Sequence, residues 1–248
     1  MMPRMRFHLL AAAFAALALG ASDARAQPAA GGTSPVVVEL YTSQGCTQCL
    51  RANRFIGELT REPDVVPLTF PVGYWDYLGW VDTFARPEFT TRQREFGRAL
   101  RVRAPFTPQL IIGGIRQVSA SDWDEARSTL MEVQAMAPPE GAPTLTLHRL
   151  PHGGARAVIS EGSTPAPADV LLVAYEPGPI AVTILGGENH GRVVLHYNLV
   201  RRIWPLGSWT GAPLTLDSTH CSPECALIVE AANHGRILAA TMTRPGHP

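Results

Sequence analysis

Cys46-Thr47-Gln48-Cys49 is the part of this sequence whose residue types and spacing most directly suggest chemistry. Two thiols three residues apart are one helical turn apart when they open a helix, close enough to form a small disulfide. The start of a helix also offers unpaired backbone N–H groups and the positive end of the dipole, and both stabilise a thiolate. On this reading Cys46 is the outer sulfur that attacks or is attacked, and Cys49 resolves the mixed disulfide. The same pair also fits a permanently closed structural bridge, or half of a zinc site completed by Cys221 and Cys225. Long separation in the chain and an oxidising compartment argue against zinc, so redox chemistry is the working expectation, with no cofactor and no metal.

Other residues qualify this expectation. Thr107-Pro108 directly precedes an apolar run, where a cis proline brings a backbone edge beside the cysteine pair, so both residues are candidate substrate contacts. Tyr74, Trp75, Tyr77 and Trp80 crowd a segment punctuated by Gly73 and Gly79. Part of this set fills core beneath a loop, and Trp75 and Tyr77 are assigned to an apolar rim for a docking polypeptide. Asp76 and Asp82 read as turn or cap residues. Glu39, on the run leading to Cys46, suits a proton acceptor beneath the thiols, a solvent-facing position on an alternating strand or an ion pair with an arginine. Cys221 and Cys225 read first as a structural disulfide fastening the edge of a β-rich part; a relay dithiol or a copper site with His220 are the competing functional readings. Four cysteines allow three connectivities, of which 46–49 with 221–225 is favoured by proximity in the chain. The remaining histidines are scattered, as expected of surface and turn positions.

The elements that must hold these residues fall on either side of a turn-rich seam, Ala137 to Pro143. Before it, the pattern predicts strands at 36–41 and 65–70, a helix after Cys46 with Leu50, Ile56 and Leu59 at helical spacing, and a helix at 88–102. A hairpin follows about Gly113-Gly114, and then a helix capped by Ser121 that buries Trp123, Leu130 and Val133. That order gives a mixed sheet with helices on both faces. After the seam come strand-length runs at 145–150, 155–160, 170–175, 181–185, 193–200, 225–230 and 237–242, which suggest a β-sandwich. The expected organisation is a signal peptide at 1–26, an α/β domain at 35–138 and a β-sandwich-like domain at 143–244.

Composition sets outer limits. The 248-residue chain has 21 basic and 21 acidic residues and no net charge, so nothing drives counterion release from nucleic acid. All the basic residues are arginine, which excludes a Schiff-base or P-loop lysine. Arg4 and Arg6, the apolar run Leu9 to Leu19 and Ala24-Arg25-Ala26 have the form of a signal peptide cleaved before Gln27. The expected destination is the periplasm or the outside of the cell, the expected partners are protein thiols or disulfides, and the mature chain has no run long enough to span a membrane. A binding scaffold with inert disulfides and a periplasmic copper carrier are the alternative functions. Oligomeric state leaves no mark on the sequence.

Val37-Val38-Glu39-Leu40-Tyr41-Thr42-Ser43-Gln44-Gly45-Cys46 with Cys49, then Tyr74-Trp75-Asp76-Tyr77-Leu78-Gly79-Trp80, then Thr107-Pro108-Gln109, resembles the secreted thioredoxin-like family called domain of unknown function 1223. Gly187-Glu188-Asn189 with Gly191-Arg192, and Asn198-Leu199-Val200 before Arg201, are similar to its second-half motif. The resemblance covers nearly all of the mature chain and implies a thioredoxin-like N-terminal domain followed by a β-rich part; the family has no established substrate. Two departures stand out. Leu50-Arg51-Ala52-Asn53 replaces the usual Pro-Pro-Ala-Asp, and Pro71-Val72-Gly73 the usual His-Val-Asp before Tyr74. Two titratable groups near the thiols are thereby lost, which implies slower exchange or a different partner if they relay protons.

Overall fold

The structure is a computed structural model and describes residues 34–245; the expected signal peptide lies outside the described residues. In chain order the elements are β1 (Val36–Thr42), α1 (Cys49–Leu59), β2 (Val65–Pro71), α2 (Pro87–Ala99), β3 (Gln109–Ile112), β4 (Arg116–Ser119), α3 (Trp123–Gln134), β5 (Leu145–Leu150), β6 (Gly154–Ile159), β7 (Ala168–Glu176), β8 (Ile180–Thr183), β9 (Val193–His196), β10 (Leu199–Trp209), β11 (Leu214–Ser218), β12 (Glu224–Glu230) and β13 (Ile237–Met242). A mixed α/β fold with one large mixed sheet and few helices results. No helix among the described residues is long and apolar enough to cross a membrane.

Strands from both sides of the 137–143 seam enter the same eight-stranded sheet, in the order β13-β12-β7-β10-β2-β1-β3-β4. Its centre is parallel, with β1 on β2 and β10 meeting β2 at Leu199 and Thr69. The flanking pairs are antiparallel. Alternation on β1 divides the core. Val38 and Leu40 pack with Ala52, Phe55, Ile56 and Leu59 of α1 and Leu130 of α3, whereas Val37 and Tyr41 pack with Phe89 and Phe96 of α2. A second sheet, β11-β6-β5, buries Ala157 and Ile159 against Val170, Trp209, Leu227 and Val229.

Local sequence accounts for most element ends. Pro87 occupies the first turn of α2, Glu88 lies near its positive end and Arg98 near its negative end. The cap of α3 is Asp122, not Ser121: the Asp122 carboxylate accepts from the Asp124 and Glu125 amides at 3.0 Å each, while the Ser121 hydroxyl donates to Gln48. The run expected as one strand over 193–200 breaks at Asn198, whose φ is 44°. The second piece continues as the eleven-residue β10. Arg201, Arg202, Pro205 and Gly207 hid that strand, and its register shifts beside Val200 and Pro205 absorb them. The short β11 was also missed, although Leu214 and Leu216 alternate with polar residues as a half-exposed strand should.

Glu39 takes the ion-pair alternative. Its carboxylate receives Arg92 Nε at 3.0 Å, Arg92 Nη2 at 2.7 Å and the Tyr41 hydroxyl at 2.7 Å. Arg92 also donates to Glu230 of β12, which contacts His234 at 3.0 Å, and His234 reaches Glu95 at 2.7 Å. Both carboxylates paired to Arg92 are 1% exposed, so the network joins the two halves of the chain in a medium where an unpaired charge is costly. Burial works against the Arg92 charge, but Glu39 and Glu230 outweigh it and hold the guanidinium protonated. Replacing Arg92 by Ala strands two buried carboxylates and is expected to cost about 3–5 kcal/mol in chemical denaturation; a loss below about 1 kcal/mol would show that the network does not bind the halves together.

Candidate functional site

The loop from Ser43 to Gln48 leaves the C-terminal end of β1. Cys46 and Cys49 are joined in a disulfide with their Cα atoms 5.3 Å apart. The helix proper begins at Cys49, not Cys46, because Gln48 is its cap and the Cys49 amide is spent on the Cys46 carbonyl at 3.2 Å. Cys46 therefore sits in the turn just ahead of α1. It keeps 7% of its surface exposed, whereas Cys49 is fully covered, so any partner reaches the bridge from the Cys46 side. Exposed Thr47 and Gln48 flank it. Beside them a shallow cleft is lined by Leu50, Arg51, Arg54 and Ser121, with no acidic residue.

The buried part of this loop, Ser43 to Cys46, is tied down by Gln44. Its amide donates to Asp82 at 2.7 Å, its carbonyl accepts from Asn189 at 2.8 Å, and its side chain accepts from Trp80 Nε1 at 2.8 Å and donates to Thr83 at 3.2 Å. Asp82 also accepts from the Phe84 amide. The cap role expected of Asp82 is thus what the hydrogen bonds give it, and burial pushes its carboxyl up to about 6. Asn189 comes from the loop between β8 and β9, where Gly186 and Gly187 pass so close to the 78–80 backbone that a Cβ on Gly186 would lie 2.5 Å from the Gly79 carbonyl oxygen. The Gly187-Glu188-Asn189 motif thereby serves the cysteine loop.

Trp75 and Thr107 lie together at this end of the sheet. Trp75 Nε1 donates to Thr107 Oγ1 at 2.7 Å, and the Trp75 Cβ is 3.4 Å from where a side chain on Gly45 would begin. Tyr77 stacks on Trp75 with centroids 6.3 Å apart and is 77% exposed. The Thr107-Pro108 bond is cis. Since Gln109 pairs with Tyr41, Pro108 stands beside the last residue of β1, four positions before Cys46. Trp75, Tyr77, Thr107 and Pro108 thus surround the approach to the cysteine loop. Asn53, where the resembled family usually has Asp, is buried in α1 and accepts from Thr42 Oγ1 at 2.9 Å.

Cys221 and Cys225 are also bonded to each other; Cys225 is the second residue of β12 and Cys221 lies just ahead of that strand, both fully buried in one cluster with Ala155 and Leu172. The Cys221 amide donates to the Gly153 carbonyl. His220 lies flat on Trp204 with centroids 3.9 Å apart. This bridge ties the segment that precedes β12 to the start of that strand, and both of its cysteines are fully covered.

The family model for the protein of unknown function DUF1223 matches residues 37–231. The chain belongs to that family. Its fold is similar to the X-ray crystal structure of a protein from Agrobacterium tumefaciens, with a TM-score of 0.67 and 27% sequence identity, covering 88% of this chain and 100% of that one. No curated protein matches the chain. The matched span contains both cysteine pairs, the Trp75 segment, Thr107-Pro108 and Asn189.

Sequence reasoning missed the buttress behind the loop. His196 of β9 is wholly buried, meets the Phe84 ring edge-on at 5.5 Å, and has both ring nitrogens without a hydrogen-bond partner among the described residues. Arg201 covers the same Phe84 ring at 4.6 Å. Burial, with help from Arg201, lowers the His196 pKa to about 4. Because the unfolded chain takes up this proton near pH 6.5 and the folded one only near pH 4, stability falls as the pH drops through that interval, by up to about 3 kcal/mol. His196→Phe is expected to flatten the pH 4–6.5 part of the stability curve relative to the parent chain; parallel curves would contradict this.

Proposed function

We propose that the protein is an exported thioredoxin-like thiol-disulfide exchange protein acting through Cys46 and Cys49. The observation that carries this reading is the location of a closed Cys-x-x-Cys bridge between a central strand and a helix, with Trp75, Thr107 and cis-Pro108 at the same end of the sheet and Cys46 the less covered of the two cysteines. In the oxidised form a partner thiolate attacks Cys46 Sγ. The Cys46–Cys49 bond breaks, and its electron pair leaves on Cys49, which takes a proton from solvent. A second thiolate on the partner then attacks the partner's own sulfur in the mixed disulfide and releases Cys46. The partner dithiol is oxidised by two electrons and the Cys46/Cys49 pair is reduced; the reverse reaction follows the same steps. Which way it runs depends on the two reduction potentials. The positive end of α1, which begins three residues after Cys46, favours a thiolate there. Trp75 and Tyr77 supply apolar contact, and Thr107 and Pro108 a backbone edge, for an extended polypeptide.

A non-catalytic scaffold is the second reading, and the small exposure of Cys46 favours it. Redox titration of the mature protein against glutathione separates the two. Exchange predicts a midpoint above roughly −300 mV and, in Cys49→Ala protein exported by its native host, mixed disulfides on Cys46 that vanish when Cys46 is also changed to Ser. A bridge closed below roughly −300 mV with no trapped partner would make the pair a structural staple.

A further inference from the structure

We propose that the groove between the exposed flank of α2 and the segment leading to Thr107 binds an acidic stretch of the polypeptide that exchanges disulfides at Cys46. The inference rests on the exchange reading and specifies its substrate class. Arg94, Arg98 and Arg103 line the groove together with Gln93 and Gln109, and no acidic residue lines it. Arg94 and Arg98 are one helical turn apart and share a face. All three are exposed. None has a carboxylate within 4.0 Å among the described residues. In a chain of zero net charge, this is a local excess of positive charge in a concave surface, which selects negative charge.

A run of surface arginines is ordinarily a solvated face, and the C-terminal position of Arg98 on α2 has its own explanation in the helix dipole. Neither account covers Arg101. The end of α2 is closed by the Val102 amide donating to the Gly97 carbonyl at 2.7 Å, and Arg101 occupies the left-handed position there, with φ 57°. Glycine is the residue that takes this conformation without steric cost. Keeping an arginine at that point, three residues past Arg98 and two before Arg103, puts a fourth cation on the segment that bounds the groove, at the expense of the fold. The groove floor also leads to the cysteine site: Gln93 Nε2 donates to the Phe106 carbonyl at 2.8 Å and to Gln109 Oε1 at 2.9 Å, on either side of Thr107-Pro108. Arg103 lies four residues before Thr107, a span of at most about 14 Å. An extended partner aligned on Thr107 would therefore carry its acidic residues roughly three to five positions from the reactive cysteine.

The test uses the oxidised mature protein and fluorescence anisotropy with three labelled, cysteine-free peptides of equal length: one rich in Asp and Glu, one neutral and one basic. The acidic peptide is expected to bind about tenfold or more tighter than the neutral one and to weaken with salt. The triple variant Arg94→Gln, Arg98→Gln, Arg103→Gln should erase that preference. Arg101→Gly should weaken acidic binding severalfold while raising the melting temperature, a combination that a purely structural role does not produce. Dithiothreitol, which has no carboxylates or peptide backbone for the groove to hold, should reduce the Cys46–Cys49 bridge at nearly the same rate in all variants. A bridge that resists reduction while acidic binding persists would overturn the exchange reading and leave the groove standing. Equal affinity for acidic and neutral peptides, an unaffected triple variant, or binding to phosphatidylglycerol vesicles without selectivity for the acidic peptide would overturn the groove proposal.

Discussion

Burial of the backbone between β1 and α1 is the constraint around which this structure is arranged. A loop that carries two cysteines into the end of a sheet also carries peptide groups away from water, and each must find a partner or cost free energy comparable to a lost hydrogen bond. The Gln44 amide and carbonyl meet this demand through Asp82 and Asn189, Ser43 accepts from the Gly45 and Cys46 amides, and the Gln44 side chain adds bonds to Trp80 and Thr83. The partners of Gln44 come from two segments more than a hundred positions apart, so the cysteine loop can take its shape only when both halves of the chain are folded. The glycines at 79, 186 and 187 follow from the same demand, because the two supporting loops touch backbone to backbone.

The Arg92 network makes a parallel connection on the α2 side of the sheet. One guanidinium satisfies a carboxylate from β1 and another from β12, so the charge that β1 buries is neutralised by α2 and shared with the far half of the sheet. A buried triad of this kind does not by itself raise stability over an apolar core, but it makes the wrong pairing expensive. Together with β10 joining β2, it explains why a chain with a turn-rich seam at 137–143 folds around one continuous sheet.

Much of the framework was legible in the sequence because it depends on local patterns: the apolar run 36–41, the helical spacing of Leu50, Ile56 and Leu59, the Gly113-Gly114 hairpin and the strand-length runs after the seam. What escaped depends on distant partners. β10 was unreadable past Val200 because its arginines and Pro205 break the apolar period, and its pairing with β7 tolerates them through two register shifts. The choice among the roles of Glu39 was undecidable until Arg92 stood opposite it. The helix start was placed three residues early, since sequence shows where a helix is possible but not that the Cys49 amide closes a turn onto Cys46. In the site, Trp75 and Thr107 were recognisable as types, but their hydrogen bond was not. His196, silent in the sequence among scattered histidines, proved to be a buried neutral ring behind the loop.

The two disulfides differ in what surrounds them. Cys221 and Cys225 are enclosed by the second sheet and the start of β12, whereas Cys46 borders exposed Thr47 and Gln48 and the Trp75 ledge. That asymmetry, within the first pair as well as between the pairs, is the core of the functional account. It is tested most directly by brief reduction of the mature protein followed by iodoacetamide labelling across pH, with each cysteine followed by mass spectrometry. The account predicts that Cys46 alone is alkylated in the folded protein, with an apparent pKa below the ordinary thiol value of about 8.5. Labelling of Cys49 at the same rate, or no labelling of Cys46 until the chain unfolds, would contradict it.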